Sequence, residues 1–543
     1  MARSADLVIR GGVLYDGRGG APVEGDLAIA GDSIAAVGQL DGWRGRDELD
    51  ASGLAVAPGF VNMLSWAHES LLEDGRAQSD IRQGVTLEVM GEGFSMGPLT
   101  EPMKAELEEQ SLLGHPVEWT TLGEYLEHLQ RRGVAPNVAS FVGSATVREH
   151  VIGADDRAPS EAELAKMQQL VANAMGEGAV GLAAALIYAP AFYAQTEELV
   201  ALARPAGMYI THLRSEGDAL LAALDEFLTI VRAAGVRGEI YHLKVAGRKN
   251  WHKLDALIER VEAEQRAGLQ LTADVYTYTA GATGLDGAMP PWVQAGGFEA
   301  WRARLRDPDT RARVVAEMQQ PTEAWENMFE LAGPKNIKLL AFKNEQLRPL
   351  TGKTLADVAA ERGTPPAETA MDLVIEDGTR VGAAYFTMSE ENLRRELALP
   401  WVSFCSDSDA PSAEGRFLQW SNHPRAYGSF ARLLGRYVRD EKVIPLEEAV
   451  RRLTSLPANN LRLQRRGLLE PGYFADVVVF DPERIQDHAT YDDPHRYATG
   501  VEHVAVNGAL ALRDGEHTGA LPGRVVRGPL WSGDAGAPVA AQG

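Results

Sequence analysis

Apolar and polar positions alternate with period two at both ends of the chain. DLVIRGGVLYDG and DLAIAGDSIAAVG near the start read as short strands, with Gly31-Asp32 supplying a turn between runs. ADVVVFDP (475–482) and VEHVAVNGALALRDG (501–515) carry the same alternation near the other end. Strand-rich ends around a different middle predict one small β-domain assembled from both termini, residues 1–58 together with 462–527. The middle follows another rhythm. EAELAKMQQLVANAM reads as an amphipathic helix followed by the strand-like AVGLAAAL. TEELVALA then leads to MYITHLR, DALLAALDEFLTIVRAAG to EIYHLKV, and WHKLDALIERVEAEQ to LQLTADVY. Helix and strand alternating at roughly thirty-residue spacing mark successive βα units on a parallel sheet. Four in a row predict an α/β fold whose centre, residues 59–461, is a (β/α)8 TIM-like barrel, with the terminal strands forming a small β-sandwich. No G-x-G-x-x-G follows a strand, which counts against an open dinucleotide-binding sheet.

The stretch at about 285–349 breaks the rhythm with Pro290-Pro291, several tryptophans and long polar helical patterns. It reads as an insertion over the barrel mouth, a lid. The small polar residues of 528–543 read as a flexible tail.

Composition narrows the function. A hydrophobic fraction of 45% with 24% charged residues fits a cored globular protein rather than a disordered one. The 53 Lys and Arg against 76 Asp and Glu leave a net charge of −23, which repels phosphate backbones and excludes a nucleic-acid-coating role. Cys405 is the single cysteine, so neither an intrachain disulfide nor a multi-cysteine zinc cluster is available. Residues 1–12 hold no secretory apolar stretch, and no run is long enough to span a bilayer. The expectation is a soluble cytoplasmic protein with a small-molecule partner, bound to neither nucleic acid nor membrane.

The strand ends carry the candidate chemistry. Period-2 phasing puts Ile210, His212 and Arg214 on one face, Ile240, His242 and Lys244 on another, and Asp274, Tyr276 and Tyr278 on a third. Three successive strands thus offer polar groups at their C-terminal ends, where barrel enzymes assemble their sites. Two imidazoles from neighbouring strands can converge on one divalent metal. VTLEVMGEGFSMGPL (85–99) is a strand running into a glycine-rich turn that holds Glu92, and FCSDSDAPSAEG (404–415) is a strand with Asp407 at its tip. One glutamate and two histidines suit Zn²⁺ in the three-ligand, open-position arrangement of a catalytic site. A nearby carboxylate such as Asp407 can then take a proton from water and pass it on.

Many segments, in order along residues 5–526, resemble the N-acyl-D-amino-acid deacylase (D-aminoacylase) branch of the amidohydrolase superfamily. They include DLVIRGGVLYDGRG, the APGF of 57–60, QGVTLEVMGEG, ITHLRSEG, YHLK, SEEN, CSDSD, NHPRAYGSF, LTSLPA, RGLLEPGYFADVVVFDP and HTGALPGRVVR. The resemblance implies a metal-dependent hydrolase that removes the acyl group from an N-acyl-D-amino acid. It matches His212 and His242 to the family's metal histidines and places Glu92 where D-aminoacylases usually carry a bridging cysteine. It makes Asp407 the catalytic aspartate, and Arg425, helped by Lys244 and Tyr276, the grip on the substrate carboxylate. A guanidinium forking onto a carboxylate with two parallel hydrogen bonds fits that role.

The chain also departs from the family. Family members follow PGF with a His-x-His strand that binds a second metal, whereas this chain reads Phe60-Val61-Asn62-Met63-Leu64-Ser65-Trp66. Leu64 and Trp66 cannot bind an ion, so a single divalent metal, Zn²⁺, is expected. His68 shares their phase and is an alternative inward ligand. Ser144 stands where the family often carries a histidine. Gly93-Phe94-Ser95-Met96-Gly97 matches the nucleophile elbow of α/β-hydrolases, with Asp407 and His423 as triad partners, yet Pro98 obstructs the helix an elbow needs. Two rival readings stand beside the deacylase: hydrolysis of a cyclic amide or imide, which needs no carboxylate clamp, and a catalytically silent ligand-binding barrel.

Overall fold

The computed structural model describes residues 3–533. Eight short parallel strands form the barrel: β1 (Phe60–Ser65), β2 (Val85–Met90), β3 (Asn137–Ser140, continued as Val142–Gly143), β4 (Leu182–Ala185), β5 (Met208–His212), β6 (Arg237–Ile240), β7 (Leu271–Val275) and β8 (Val402–Phe404). Ladders run from β1 to β3, and from Val142–Gly143 to β8. The ring closes where β8 meets β1: Ser65 and Ser408 form a parallel bridge, Asp407 N donates to Leu64 O at 2.9 Å, and Trp66 N donates to Ser408 O at 2.8 Å.

The strands are buried on both faces, so most read as apolar runs rather than as alternating ones. Inward side chains, among them Met63, Leu87, Val89, Phe141, Ala183, Ile210 and Tyr241, fill the barrel interior. Each large apolar side chain so buried contributes about 1.5–3 kcal/mol. Outward side chains pack against a surrounding layer of helices. The helix Glu161–Glu177 shows how these are delimited. Ser160 and Glu163 form a capping box at its start, and Gly178, at φ +110°, ends it in a left-handed turn.

The two chain ends meet in one nine-stranded sheet. Arg3–Leu14 is its hub, pairing antiparallel with Val23–Ala30 and parallel with both Trp43–Asp50 and Ala55–Pro58. Ala55–Pro58 pairs on its other side with Val477–Phe480, which carries the sheet on to Val501–Val506 and Ala509–Arg513. The protein is therefore an α/β barrel with a small β-domain drawn from both termini. Gly528 N and Ser532 N still bond to Gly178 O and Gly176 O, whereas residues 534–543, part of the expected flexible tail, lie outside the described residues.

Between β7 and β8 the chain builds a separate body. Gly281–Gly284, Ile337–Ala341 and Gly382–Tyr385 form a three-stranded antiparallel sheet. Its own apolar core includes Leu285, Trp301, Val314, Leu339, Met371 and Tyr385. The rhythm-breaking stretch at 285–349 lies inside this body, which continues to Tyr385.

Candidate metal centre

Glu92, His212 and His242 converge at the C-terminal mouth of the barrel, contributed by the ends of β2, β5 and β6. Glu92 Oε1 stands 2.9 Å from His242 Nε2 and 3.3 Å from His212 Nδ1. The two imidazole centroids are 4.5 Å apart and nearly perpendicular. The local sequence explains the approach of Glu92. A Cβ at Gly91 would sit 2.5 Å from Phe141 O, and one at Gly93 2.6 Å from Ala185 Cβ, so only glycines let this turn pass so close to its neighbours. His242 and Asp407 adopt left-handed backbone at φ +34° and +49°. Such conformations persist in non-glycine residues only where surrounding structure holds them, at a cost of about 1–3 kcal/mol each. Here Asp274 Oδ1 accepts from His242 N at 2.7 Å, and Leu64 O accepts from Asp407 N. Beside Asp407, Asn62 Oδ1 accepts from Ser406 N at 2.9 Å.

The electrostatics call for positive charge. Burial pushes the Glu92 carboxyl up, but His242 and His212 outweigh it and hold the group well below the usual carboxylate range. Burial and Lys244 push His242 down, yet Glu216 and Glu92 carry it up to about 10. Burial lowers His212. One carboxylate oxygen facing two imidazole nitrogens, all three residues at most 5% exposed, is a donor set suited to a divalent zinc ion.

A further carboxylate lies beside both imidazoles, while Lys244 Nζ makes the hydrogen bond to His242 Nδ1 at 2.7 Å. Glu216 Oε1 lies 3.1 Å from His242 Nδ1 and 2.7 Å from Lys244 Nζ, while Oε2 lies 3.4 Å from His212 Nε2. Burial pushes Glu216 up, and His212, Lys244 and His242 together hold it well below its ordinary range. Metal-binding histidines commonly have their remote nitrogen held by such a carboxylate. Glu216 stands four residues past His212 in the sequence; only the bend after β5 turns it back over both rings. From the segment beyond β7, Glu326 accepts a hydrogen bond from Glu216 N, and burial together with Glu216 raises its carboxyl to about 8.

The seven residues given metal, catalytic or substrate-binding roles from the sequence all line one cavity of about 580 Å³: Glu92, His212, His242, Lys244, Tyr276, Asp407 and Arg425. Arg425 Nη1 pairs with Asp407 Oδ2 at 2.7 Å, and the guanidinium lies 4.7 Å from the Tyr276 ring centre. Arg425 Nε has no hydrogen-bond partner. Burial raises the Asp407 carboxyl above its ordinary value, opposed by Arg425. Tyr276 contributes its ring face; its hydroxyl meets Met388 Sδ at 3.6 Å.

Other candidates lie elsewhere. Strand β5 ends at His212, so alternation lapses there and Arg214 turns to Glu226 at 2.7 Å instead of entering the cavity. His68 packs between Trp66 and Tyr125, and burial lowers it to about 4. Ser144 is buried at the start of the helix Ser144–Ile152; its neighbour Ala145, not Ser144 itself, lines the cavity. The hydroxyl of Ser95 is committed to Gly97 O at 2.7 Å and accepts from Gly143 N at 2.9 Å, and His423 bonds to Ala280 O, so no nucleophile elbow forms. Trp66, identified from the sequence only as a lost ligand, donates its indole N–H toward Glu92 Oε2 at 3.1 Å and Asp407 Oδ1 at 3.2 Å. Among the described residues, no helix is long and apolar enough to cross a membrane.

Comparison with known proteins shows the family and the fold. The sequence profile of the amidohydrolase family matches residues 47–511. The D-aminoacylase of Alcaligenes xylosoxydans xylosoxydans is 34% identical over 529 residues, covering 96% of this chain and 97% of its own. The structure of N-acyl-D-glutamate deacylase from Bordetella bronchiseptica, complexed with zinc and a phosphonate mimic of the tetrahedral intermediate, superposes with a TM-score of 0.80 at 30% identity, covering 97% of this chain and all of that one. A D-aminoacylase structure superposes with a TM-score of 0.79 at 31% identity, covering 96% of this chain and all of that one; its binuclear centre is described by one-metal activation and second-metal attenuation.

Proposed function

We propose, for a chain that belongs to the amidohydrolase family, hydrolysis of the amide bond that joins an acyl group to a D-amino acid. The observation that carries this reading is the convergence of Glu92, His212 and His242 beside Asp407 in one cavity. Glu92, His212 and His242 would hold one zinc ion, which when bound supplies Lewis-acid polarisation of the amide carbonyl and an acidified water. The single ion is supported by Leu64 and Trp66: one is a fully buried hydrocarbon and the other presents a hydrogen-bond donor, not a lone pair, to the site.

The chain's own groups then divide the work. Asp407 stands at the cavity with its carboxylate between Trp66 and Arg425, positioned to accept a proton from the attacking water and return it to the leaving nitrogen. The Arg425 guanidinium holds Asp407 with Nη1 and keeps Nε free, an edge that a substrate carboxylate can meet with a charge-assisted bond. Lys244, poised over the same Tyr276 ring at 5.7 Å, adds a second positive charge. Glu216, bonded to Lys244, sets its negative charge beside the remote nitrogens of both imidazoles, at 3.1 and 3.4 Å.

The test is a panel of N-acyl-D- and N-acyl-L-amino acids, run beside elemental analysis of the purified protein. Turnover confined to the D series, with one zinc per chain, is expected. Two zinc ions per chain would refute the single-ion reading, and turnover of cyclic imides that persists unchanged in Arg425→Ala would favour the cyclic-amide alternative.

A further inference from the structure

By the family resemblance Trp66 stands where a ligand for a second ion would be, and its indole is not idle there. Nε1 lies between two carboxylates, 3.1 Å from Glu92 Oε2 and 3.2 Å from Asp407 Oδ1. The remaining oxygens are engaged elsewhere: Glu92 Oε1 faces both imidazoles, and Asp407 Oδ2 faces Arg425. Each carboxylate therefore divides into one working oxygen and one oxygen turned toward the indole. The ring is itself fixed, with Trp66 N bonded to Ser408 O at 2.8 Å and the His68 ring edge-on at 5.7 Å.

We propose that the Trp66 indole N–H is a built-in clamp, which sets the separation between the ligand carboxylate of Glu92 and the proton-transferring carboxylate of Asp407 in the place of a second cation. This rests on the hydrolase reading above. Two carboxylates held in one buried site repel each other, and a donor between them offsets that repulsion. An indole N–H is a donor only and does not titrate in the working range. It bridges the pair without exchanging with solution, as an ion would. Trp66 is a positioning residue: it acts through Glu92 and Asp407.

Trp66→Phe keeps most of the ring and removes the donor. Zinc affinity, read by chelator competition, is expected to fall about 10-fold, the loss usual when a group supporting a ligand is removed. With the zinc site saturated, kcat is expected to fall about 10- to 100-fold while KM stays within about threefold, because the lost interaction orients reacting groups and does not bind substrate. Zinc affinity in Trp66→Phe within about twofold of wild type would overturn the clamp, whatever the activity. If the wild-type protein hydrolyses no N-acyl amino acid, the deacylase reading fails, and the zinc measurement still decides the clamp. If Trp66→Phe does not fold, the unaltered protein labelled with ¹⁵N at its 10 tryptophans replaces it. Zinc addition is expected to move one indole N–H resonance, that of the tryptophan lining the cavity, and a titration that moves none would overturn the proposal.

Discussion

Replacing Glu216 by glutamine tests how far the ligands depend on the group behind them. The wild-type carboxylate is 5% exposed and divides its oxygens between His242 Nδ1 and Lys244 Nζ on one side and His212 Nε2 on the other. Glutamine keeps the shape but loses the charge and one acceptor. Removing such a support usually weakens metal binding by about 10- to 100-fold, equivalent to about 1.4–2.8 kcal/mol. The zinc-free protein should also weaken, since Lys244, 7% exposed, loses its counter-charge. Deleting one member of a buried ion pair outright costs about 3–5 kcal/mol. The glutamine carbonyl still accepts from Nζ, so a loss of about 1–3 kcal/mol is expected here. Chelator competition reads the first quantity and urea unfolding of the zinc-free protein the second. If Glu216→Gln binds zinc within about twofold of wild type, Glu216 does not orient the imidazoles and the reasoning is wrong.

Asp407→Asn is expected to lower kcat by about 100- to 10,000-fold, the range of general acid–base contributions, with zinc per chain unchanged; a wild-type kcat would remove Asp407 from proton transfer. Gly93→Ala would place a Cβ 2.6 Å from Ala185 Cβ at a backbone φ of +64°. A stability loss of about 1–3 kcal/mol and reduced zinc per chain are expected, read by thermal unfolding and elemental analysis. His68 gives a pH prediction with a definite sign. Burial lowers it to about 4 from the 6.5 of the unfolded chain, so between those values the unfolded state binds more protons. Stability from this residue is present above pH ~6.5 and is lost as pH falls toward ~4, by up to about 3 kcal/mol. In His68→Phe the urea midpoint should fall less than that of wild type between pH 7 and pH 4.5; parallel losses would show that His68 carries no such linkage.

The βα rhythm was legible because helices and strands repeat at a spacing that only a parallel sheet explains, and the closed ring bears the same order. Glu92, His212, His242 and Asp407 were legible as a set because each stands at, or within three residues of, a barrel strand's C-terminal end. Only His212 lies inside its strand, so alternation alone did not fix where the side chains beyond the strands point. Arg214 shares the phase of His212 but follows the last residue of β5, and its guanidinium leaves for Glu226. Glu216 was invisible for the same reason: it lies in a bend with no period to assign its direction. Trp66 was legible only as an absence, since a hydrogen bond to Asp407 joins residues 341 positions apart and no local pattern encodes it. The body between β7 and β8 lacked the barrel's period because its core is organised around its own antiparallel sheet.

The seam where β8 meets β1 has a consequence for biosynthesis. A ribosome delivers Glu92, His212 and His242 long before Asp407 and Arg425, so the growing polypeptide carries the proposed chelating groups before the aspartate proposed to move the proton. Only when the last strand slides into its slot, with Asn62 catching Ser406 and Leu64 catching Asp407, do both halves face each other. Under the proposed hydrolase reading, the site is therefore completed in a single late event of chain synthesis.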